Sequence, residues 1–378
     1  MRKKTIGDVK LEGRRAIVRV DFNVPLDEEK RITDDLRIRA ALPTIEYLLS
    51  KNAAVILMSH LGRPKGKRDD AFSLRPVCDY LKEKLECRVS MAPDCVGEET
   101  RRMAGELKPG EVLLLENLRF HKGETDNDPA FAKELASLAE VYVNDAFGTA
   151  HRAHASTEGI THHIGTCVAG LLLKKEIEYF ENTLESAERP FIAILGGAKV
   201  SDKIMVIRRL LEKVDAVLIG GGMAFTFFKA EGKEVGASKL EEDRVGEAKE
   251  IMETAGRKGS ELLLPVDILA ASEFSADAEK KQVGADGIPA GWMGLDIGDG
   301  TIRKYCDRIR ESRTVLWNGP MGVFEMEPYA KGTFEVAKAI AETDCVSIVG
   351  GGDSAAAIRQ MGLADRFTHI STGGGASL

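Results

Sequence analysis

The sequence predicts an α/β protein with two domains built on parallel sheets, and three observations carry that reading. Nine short apolar runs alternate with segments of helical period, such as Ile38, Leu42, Ile45 and Leu49, the pattern of strands joined by crossover helices. The chain is 378 residues long, more than the ~250 to 300 at which a single hydrophobic core stops growing. Composition also shifts near the middle: residues 1–189 hold 12 of the 38 glycines and six of the seven histidines. Between the halves, 173–188 reads as one charge-rich helix with Ile177, Phe180 and Leu184 on a single face, so it joins a domain over 1–172 to one over 189–378.

Charge and composition exclude several classes. With 43% hydrophobic and 30% charged residues the chain has the composition of a globular protein, not of a disordered or fibrous one. The longest stretches free of Asp, Glu, Lys and Arg, 159–173 and 216–228, have 15 and 13 residues, short of the ~20 that span a bilayer. No membrane partner is expected. Arg2, Lys3 and Lys4 precede Asp8, Lys10 and Glu12 where a signal peptide needs an apolar stretch, so a cytoplasmic location is expected. Six cysteines without a CxxC pair indicate neither a zinc ribbon nor a disulfide framework. A formal charge of −7 argues against nucleic acid as partner, and a small anionic ligand therefore needs a locally basic pocket.

In a parallel sheet every strand's carboxyl end points to one edge, and ligands bind there. Along the first half, the run 16–20 is followed by Asp21 and Asn23, and the next helix opens with Arg37 in TDDLRIR. The run 54–58 leads into SHLGRP with His60 and Arg63, 112–115 into ENLRF with Arg119, and 141–143 into NDAFGTAHRAH with Arg152 and His154. Each alone reads as a solvated or satisfied polar residue. Together they deliver cations to one edge, a site for phosphate and carboxylate, which guanidinium groups match bidentately. Asp21 and Asn23 are then expected to accept a substrate hydroxyl. Lys65, Lys67 and Arg68 read as a solvated loop.

In the second half the runs 191–195, 216–219, 262–264, 314–317 and 346–349 recur, and glycine clusters 196–197, 220–222, 350–352 and 373–375 follow apolar runs. Glycine permits close approach of a backbone and positive φ, and a helix opening after such a turn aims N–H groups at an anion. Tight turns explain any one cluster; four in one domain point to a phosphate and base cradle. In GGAKVSDK, Ser201 or Asp202 is the expected N-cap of a helix. Lys199 and Lys203 then stand against the helix dipole, at a cost of roughly 0.3 to 1 kcal/mol, which a bound polyphosphate offsets. Asp353 and Ser354 open a helix after 350–352; beside phosphate-facing amides a carboxylate suits Mg²⁺, although a lone Asp there is as readily an N-cap. Glu325 in WNGPMGVFE suits ribose hydroxyls. The Walker A pattern is absent. Gly350, Gly352 and Ala355 match a dinucleotide fingerprint, the mark of a dehydrogenase, but only Asp365 follows, before rather than after the run 368–370.

RVDFNVP, ITDDLRIRAALPT, SHLGRP, ENLRF, NDAFGTAHRAHAST, LGGAKVSDK, GGGMAF, WNGPMGVFE, VGGGDS and STGGGAS occur in this order, and in them the chain resembles the phosphoglycerate kinases nearly from end to end. The resemblance implies two Rossmann-like domains with a cleft between them. It implies 3-phosphoglycerate on the first, held by Asp21, Asn23, Arg37, His60, Arg63, Arg119 and Arg152. It implies MgATP or MgADP on the second, held by Lys203, Gly222, Gly294, Pro320, Glu325 and Gly351 to Ser354 (Gly351, Gly352, Asp353, Ser354), with Asp353 on the magnesium. Arg37, Lys199, Lys203, Gly352 and Gly374 are the implied catalytic groups of a reversible phosphoryl transfer in a hinge-bending monomer. The family continues past STGGGAS with a segment returning to the amino-terminal domain, whereas this sequence ends at Leu378.

Overall fold

The computed structural model describes residues 3–373, apart from the side chains of Asn182 and Leu184. The chain divides into two units, Met1–Glu178 and Tyr179–Leu378. The helix Leu171–Ser186 crosses that division, two residues earlier at each end than the 173–188 expected. Its start is set by side chains: Thr44 Oγ1 accepts from the N–H of Leu171 at 2.9 Å and Asp145 Oδ1 from that of Leu173 at 3.1 Å, satisfying donors a helix cannot satisfy itself.

The first unit holds β1 (Arg15–Arg19), β2 (Ala54–Met58), β3 (Val89–Met91), β4 (Val112–Leu114), β5 (Val141–Asn144) and β6 (Cys167–Ala169). They form one sheet in the order β3-β4-β2-β1-β5-β6, and every pairing is parallel. Both faces are covered. Val18, Val55, Leu57 and Val143 pack on the side of the helices Leu36–Ser50 and Arg75–Lys84, while Ile17, Ile56, Leu113 and Tyr142 pack with Ala104, Phe131 and Leu135. Burial on both faces is why these strands read as continuous apolar runs and not as alternating ones.

The second unit repeats the plan with β7 (Phe191–Leu195), β8 (Ala216–Ile219), β9 (Glu261–Leu263), β13 (Thr314–Asn318), β14 (Val346–Gly350) and β15 (His369–Ile370). Their order is β15-β14-β13-β7-β8-β9, again parallel throughout. Between β9 and β13 lies a feature the sequence reading lacks, an antiparallel sheet β11-β10-β12 made of β10 (Asp267–Ala271), β11 (Lys280–Gly284) and β12 (Met293–Ile297). β11, KKQVG, is almost entirely exposed, so no apolar run marks it.

Candidate functional site

In the first unit the four strands carrying the expected residues lie side by side as β4-β2-β1-β5, so their carboxyl-end loops are neighbours. The loop after β1 is held by Ser59 Oγ, which accepts from the N–H of Phe22 at 2.8 Å. Asp21 Oδ2 accepts from Arg37 Nη1 at 2.9 Å, and Asp21 Oδ1 lies 3.9 Å from His60 Nδ1. Asn23 Oδ1 accepts from the N–H of Gly62 at 2.8 Å, which fixes the side chain and leaves a second lone pair and the amide NH₂ to offer a ligand. Arg119 is buried and donates from Nη1 to the carbonyl of Gly62 at 2.8 Å. Arg63 and Arg152 are exposed, the latter donating from Nε to His151 at 3.2 Å.

Arg19 is the residue sequence reasoning missed, and it organises the rest. It sits inside the β1 run with only 1% of its surface exposed, donating from Nε to Ser156 Oγ at 2.8 Å, to the Val20 carbonyl, and from Nη2 to His60 Nδ1 at 3.2 Å. Ser156 Oγ in turn donates to the buried carboxylate of Glu124 at 2.7 Å. A charged residue inside an apolar strand was the available signal, because burying one without partners is costly. The His60 imidazole is held well below its ordinary pKa, first by burial and then by Arg19, Arg119, Arg37 and Arg152. The Arg119 guanidinium is likewise lowered by burial and by Arg152, Arg19 and Arg63. All seven expected residues thus converge on one strongly cationic patch, with His60 neutral among the guanidinium groups.

In the second unit the strand-end loops enclose a cavity of 390 Å³. Gly222, Gly294, Pro320, Glu325 and Asp353 line it, and Phe225, Ile268, Met293 and Leu295 give it an apolar wall suited to a planar base. Glycine here serves close packing. A Cβ at Gly319, where φ is +95°, would strike the carbonyl of Gly196, and one at Gly221 would strike the Gly197 backbone, so these residues let three loops pass within backbone contact. Gly352 is different: a Cβ there meets nothing within 4 Å. Gly351, with φ +91°, precedes the helix Gly352–Gln360, whose first turn carries Asp353 and Ser354. Ser354 is buried and its Oγ accepts from the N–H of Gly319 at 2.7 Å, so its hydroxyl already fastens two loops. Asp353 is exposed and makes no ion pair or side-chain hydrogen bond among the described residues.

The expected N-cap of the GGAKVSDK helix is incorrect. The helix runs Ile204–Leu210 with Lys203 at its N-cap and no capping side chain, because Ser201 is bound elsewhere: its N–H and Oγ donate to Glu241 at 3.0 and 2.6 Å. Lys199 is exposed. Lys203 is 9% exposed and donates to the Asn318 carbonyl at 3.2 Å and to Asn318 Oδ1; burial lowers its pKa to about 8 against the raising effect of Asp202 and Asp353. Asn318, absent from the sequence reading, has a buried Nδ2 with no partner among the described residues. Gly374, expected to be catalytic, lies outside the described residues. No acid follows β15, where Ser371 stands, so the dinucleotide fingerprint has no ribose ligand there.

A family model described as phosphoglycerate kinase matches residues 6–378. A phosphoglycerate kinase of Moorella thermoacetica is 59% identical over 378 residues, covering 100% of this chain and 96% of its own length. A cytosolic phosphoglycerate kinase of Triticum aestivum is 55% identical over 377 residues, covering 99% of this chain and 94% of its own length. The solved phosphoglycerate kinase of Coxiella burnetii superposes with a TM-score of 0.85 at 39% identity, covering 100% of this chain and 95% of that one. The cationic strand-end patch, the glycine-lined cavity and these likenesses agree, and the chain belongs to the phosphoglycerate kinase family.

Proposed function

We propose that the first unit binds 3-phosphoglycerate through Asp21, Asn23, Arg37, His60, Arg63, Arg119 and Arg152, and that the second binds ATP or ADP through Lys203, Gly222, Gly294, Pro320, Glu325 and Gly351 to Ser354. The observation that carries the first half is electrostatic: guanidinium groups crowd a neutral, buried His60, an arrangement that is unfavourable until an anion occupies it. The second half is supported by the cavity, whose apolar wall accepts a base while Lys203 and the N–H groups at the head of the helix Gly352–Gln360 suit phosphates. The donor set also fits Mg²⁺. Asp353 is a carboxylate without an ion-pair partner among the described residues, beside those N–H groups, and a hard cation takes one or two carboxylates together with phosphate oxygens. Bound there, Mg²⁺ would neutralise charge on the phosphates.

Phosphoglycerate kinases transfer a phosphoryl group reversibly between ATP and 3-phosphoglycerate. A carboxylate oxygen attacks the γ-phosphorus as its bond to the β-γ bridging oxygen breaks, giving ADP and 1,3-bisphosphoglycerate. The carboxylate is ionised at neutral pH, so no general base is required, and the protein's task is alignment and stabilisation of charge. Arg37 from the first unit, and Lys199, Lys203 and the Gly352 and Gly374 amides from the second, are the groups proposed for that role. With the ligands on different units, transfer requires them to be brought together and water excluded. A monomer accords with this reading, and a cytoplasmic location accords with the wheat relative's description as cytosolic. The test is a coupled assay of ATP consumption. Turnover should require 3-phosphoglycerate, and Arg37→Ala should lower it by about 10² to 10³, the range for losing one charge-stabilising donor. Phosphoglycerate-independent ATP hydrolysis, or full turnover in the variant, would overturn the assignment.

A further inference from the structure

The first unit also brings together three side chains of different donor type that have no part in the proposed ligand patch. Asp94, Cys95 and His121 each present a metal-ligating atom, and these atoms all lie within 4.8 Å of one another. His121 Nε2 and Asp94 Oδ1 are 2.7 Å apart, and the Cys95 thiol is fully buried against the Asp94 carboxylate. The framework around them is fixed. The Asp94 carbonyl accepts from Thr100 Oγ1 at 3.0 Å, the neighbouring Pro93 carbonyl accepts from Arg68 at 2.8 Å, and the His121 ring stacks on Phe131 with centroids 5.1 Å apart.

From this juxtaposition we propose that Asp94, Cys95 and His121 form a binding site for a borderline-soft divalent cation of the zinc class, distinct from the magnesium-nucleotide site. Thiolate, imidazole and carboxylate are the zinc ligand set, with bonds of about 2.0 to 2.3 Å. A tetrahedral ion with such bonds separates its ligand atoms by roughly 3.3 to 3.7 Å, so the Asp94 and His121 side chains must part by less than about 1 Å. Both have room to do so, being 42% and 31% exposed, and the same opening admits water as the fourth ligand. Beside burial itself, the negative charges of Asp94 and the buried Glu124 act on the Cys95 thiol, and they favour a cation there. Binding exchanges the thiol proton for the metal: the cation takes the thiolate as ligand and one proton leaves to solvent, so affinity should rise with pH. Magnesium, which takes oxygen ligands in octahedral geometry, should not compete.

The experiment uses the full chain, stripped with a chelator and titrated with Co²⁺ as an optical probe and then with Zn²⁺. Expected are one equivalent of Co²⁺ with a near-ultraviolet sulfur-to-cobalt band and visible bands of tetrahedral intensity, displacement by Zn²⁺ but not by Mg²⁺, and release of one proton per Zn²⁺. His121→Gln, a change at a part-exposed position that should fold normally, should weaken binding at least tenfold, and Cys95→Ser should abolish the sulfur band. Cobalt bound without that band, or a band unchanged in both variants, would assign the metal to other groups and overturn the proposal.

Discussion

His60 shows how one buried side chain sets the chemistry of its neighbour. Arg19 can only donate, so the Nδ1 it contacts at 3.2 Å must accept, and the ring proton sits on Nε2. A neutral imidazole fixed as an Nε2–H donor hydrogen-bonds an anion without adding another charge to a crowded patch. Arg19→Lys keeps the charge but loses the planar fork that reaches Ser156, Val20 and His60 together. It should release His60 to a mixture of tautomers, visible in ¹⁵N spectra, and raise KM for 3-phosphoglycerate more than it lowers kcat; an unchanged tautomer would separate Arg19 from His60. Lys203 offers a second test. Burial lowers its pKa to about 8, and polyphosphate bound beside it favours the charged form, so ADP binding should take up protons above pH 8. Affinity is then full below that value and falls as pH rises through it, while Lys203→Met, which has no proton to gain, should flatten the profile. Calorimetry in buffers of different ionisation enthalpy reads the uptake directly.

At the scale of elements, the start of the helix Leu171–Ser186 rests on a carboxylate in an unfavourable place. Asp145 is buried, its Oδ2 has no partner among the described residues, and burial outweighs its hydrogen bonds with Thr44, Leu173 and Leu172 to push its pKa up to about 6. The sign follows from linkage. Between about pH 4 and 6 the folded state holds this proton more tightly than the unfolded chain does, so the group's contribution is favourable below that window and is lost as pH rises through 6. A rise from 3.8 to about 6 corresponds to on the order of 3 kcal/mol at pH 8. Asp145→Asn retains the acceptor for Leu173 and cannot ionise, so its urea midpoint relative to the parent should improve from pH 4 to about pH 6 and level off above about pH 7. A constant difference between the two across that range would show that Asp145 does not titrate there.

At the scale of the whole molecule, what could be read from the sequence was what burial and strand ends dictate. Strands buried on both faces appear as apolar runs, and the residues after them must lie on one edge, so Asp21, His60, Arg119 and Arg152 were legible together. Partners supplied by distant segments were not: Glu241 taking the hydroxyl of Ser201, or Asn318 holding Lys203, has no local signature. β11 escaped because an exposed antiparallel strand needs no apolar face. Each unit has core clusters of its own, built around β1, β2 and β4 in the first and around β7, β8 and β13 in the second, so each should respond to its own ligand. A ligand at about 100 times its Kd stabilises the state that binds it by about 2.7 kcal/mol. Under native hydrogen exchange, 3-phosphoglycerate should therefore protect amides of β1, β2, β4 and β5 with little change in the second sheet, and MgADP should do the converse for β7, β8, β13 and β14. Equal protection of both sheets by either ligand would mean that the two units open as one cooperative body, and the division of binding between them would have to be tested by another route, with Arg119→Ala and Lys203→Met removing one ligand at a time.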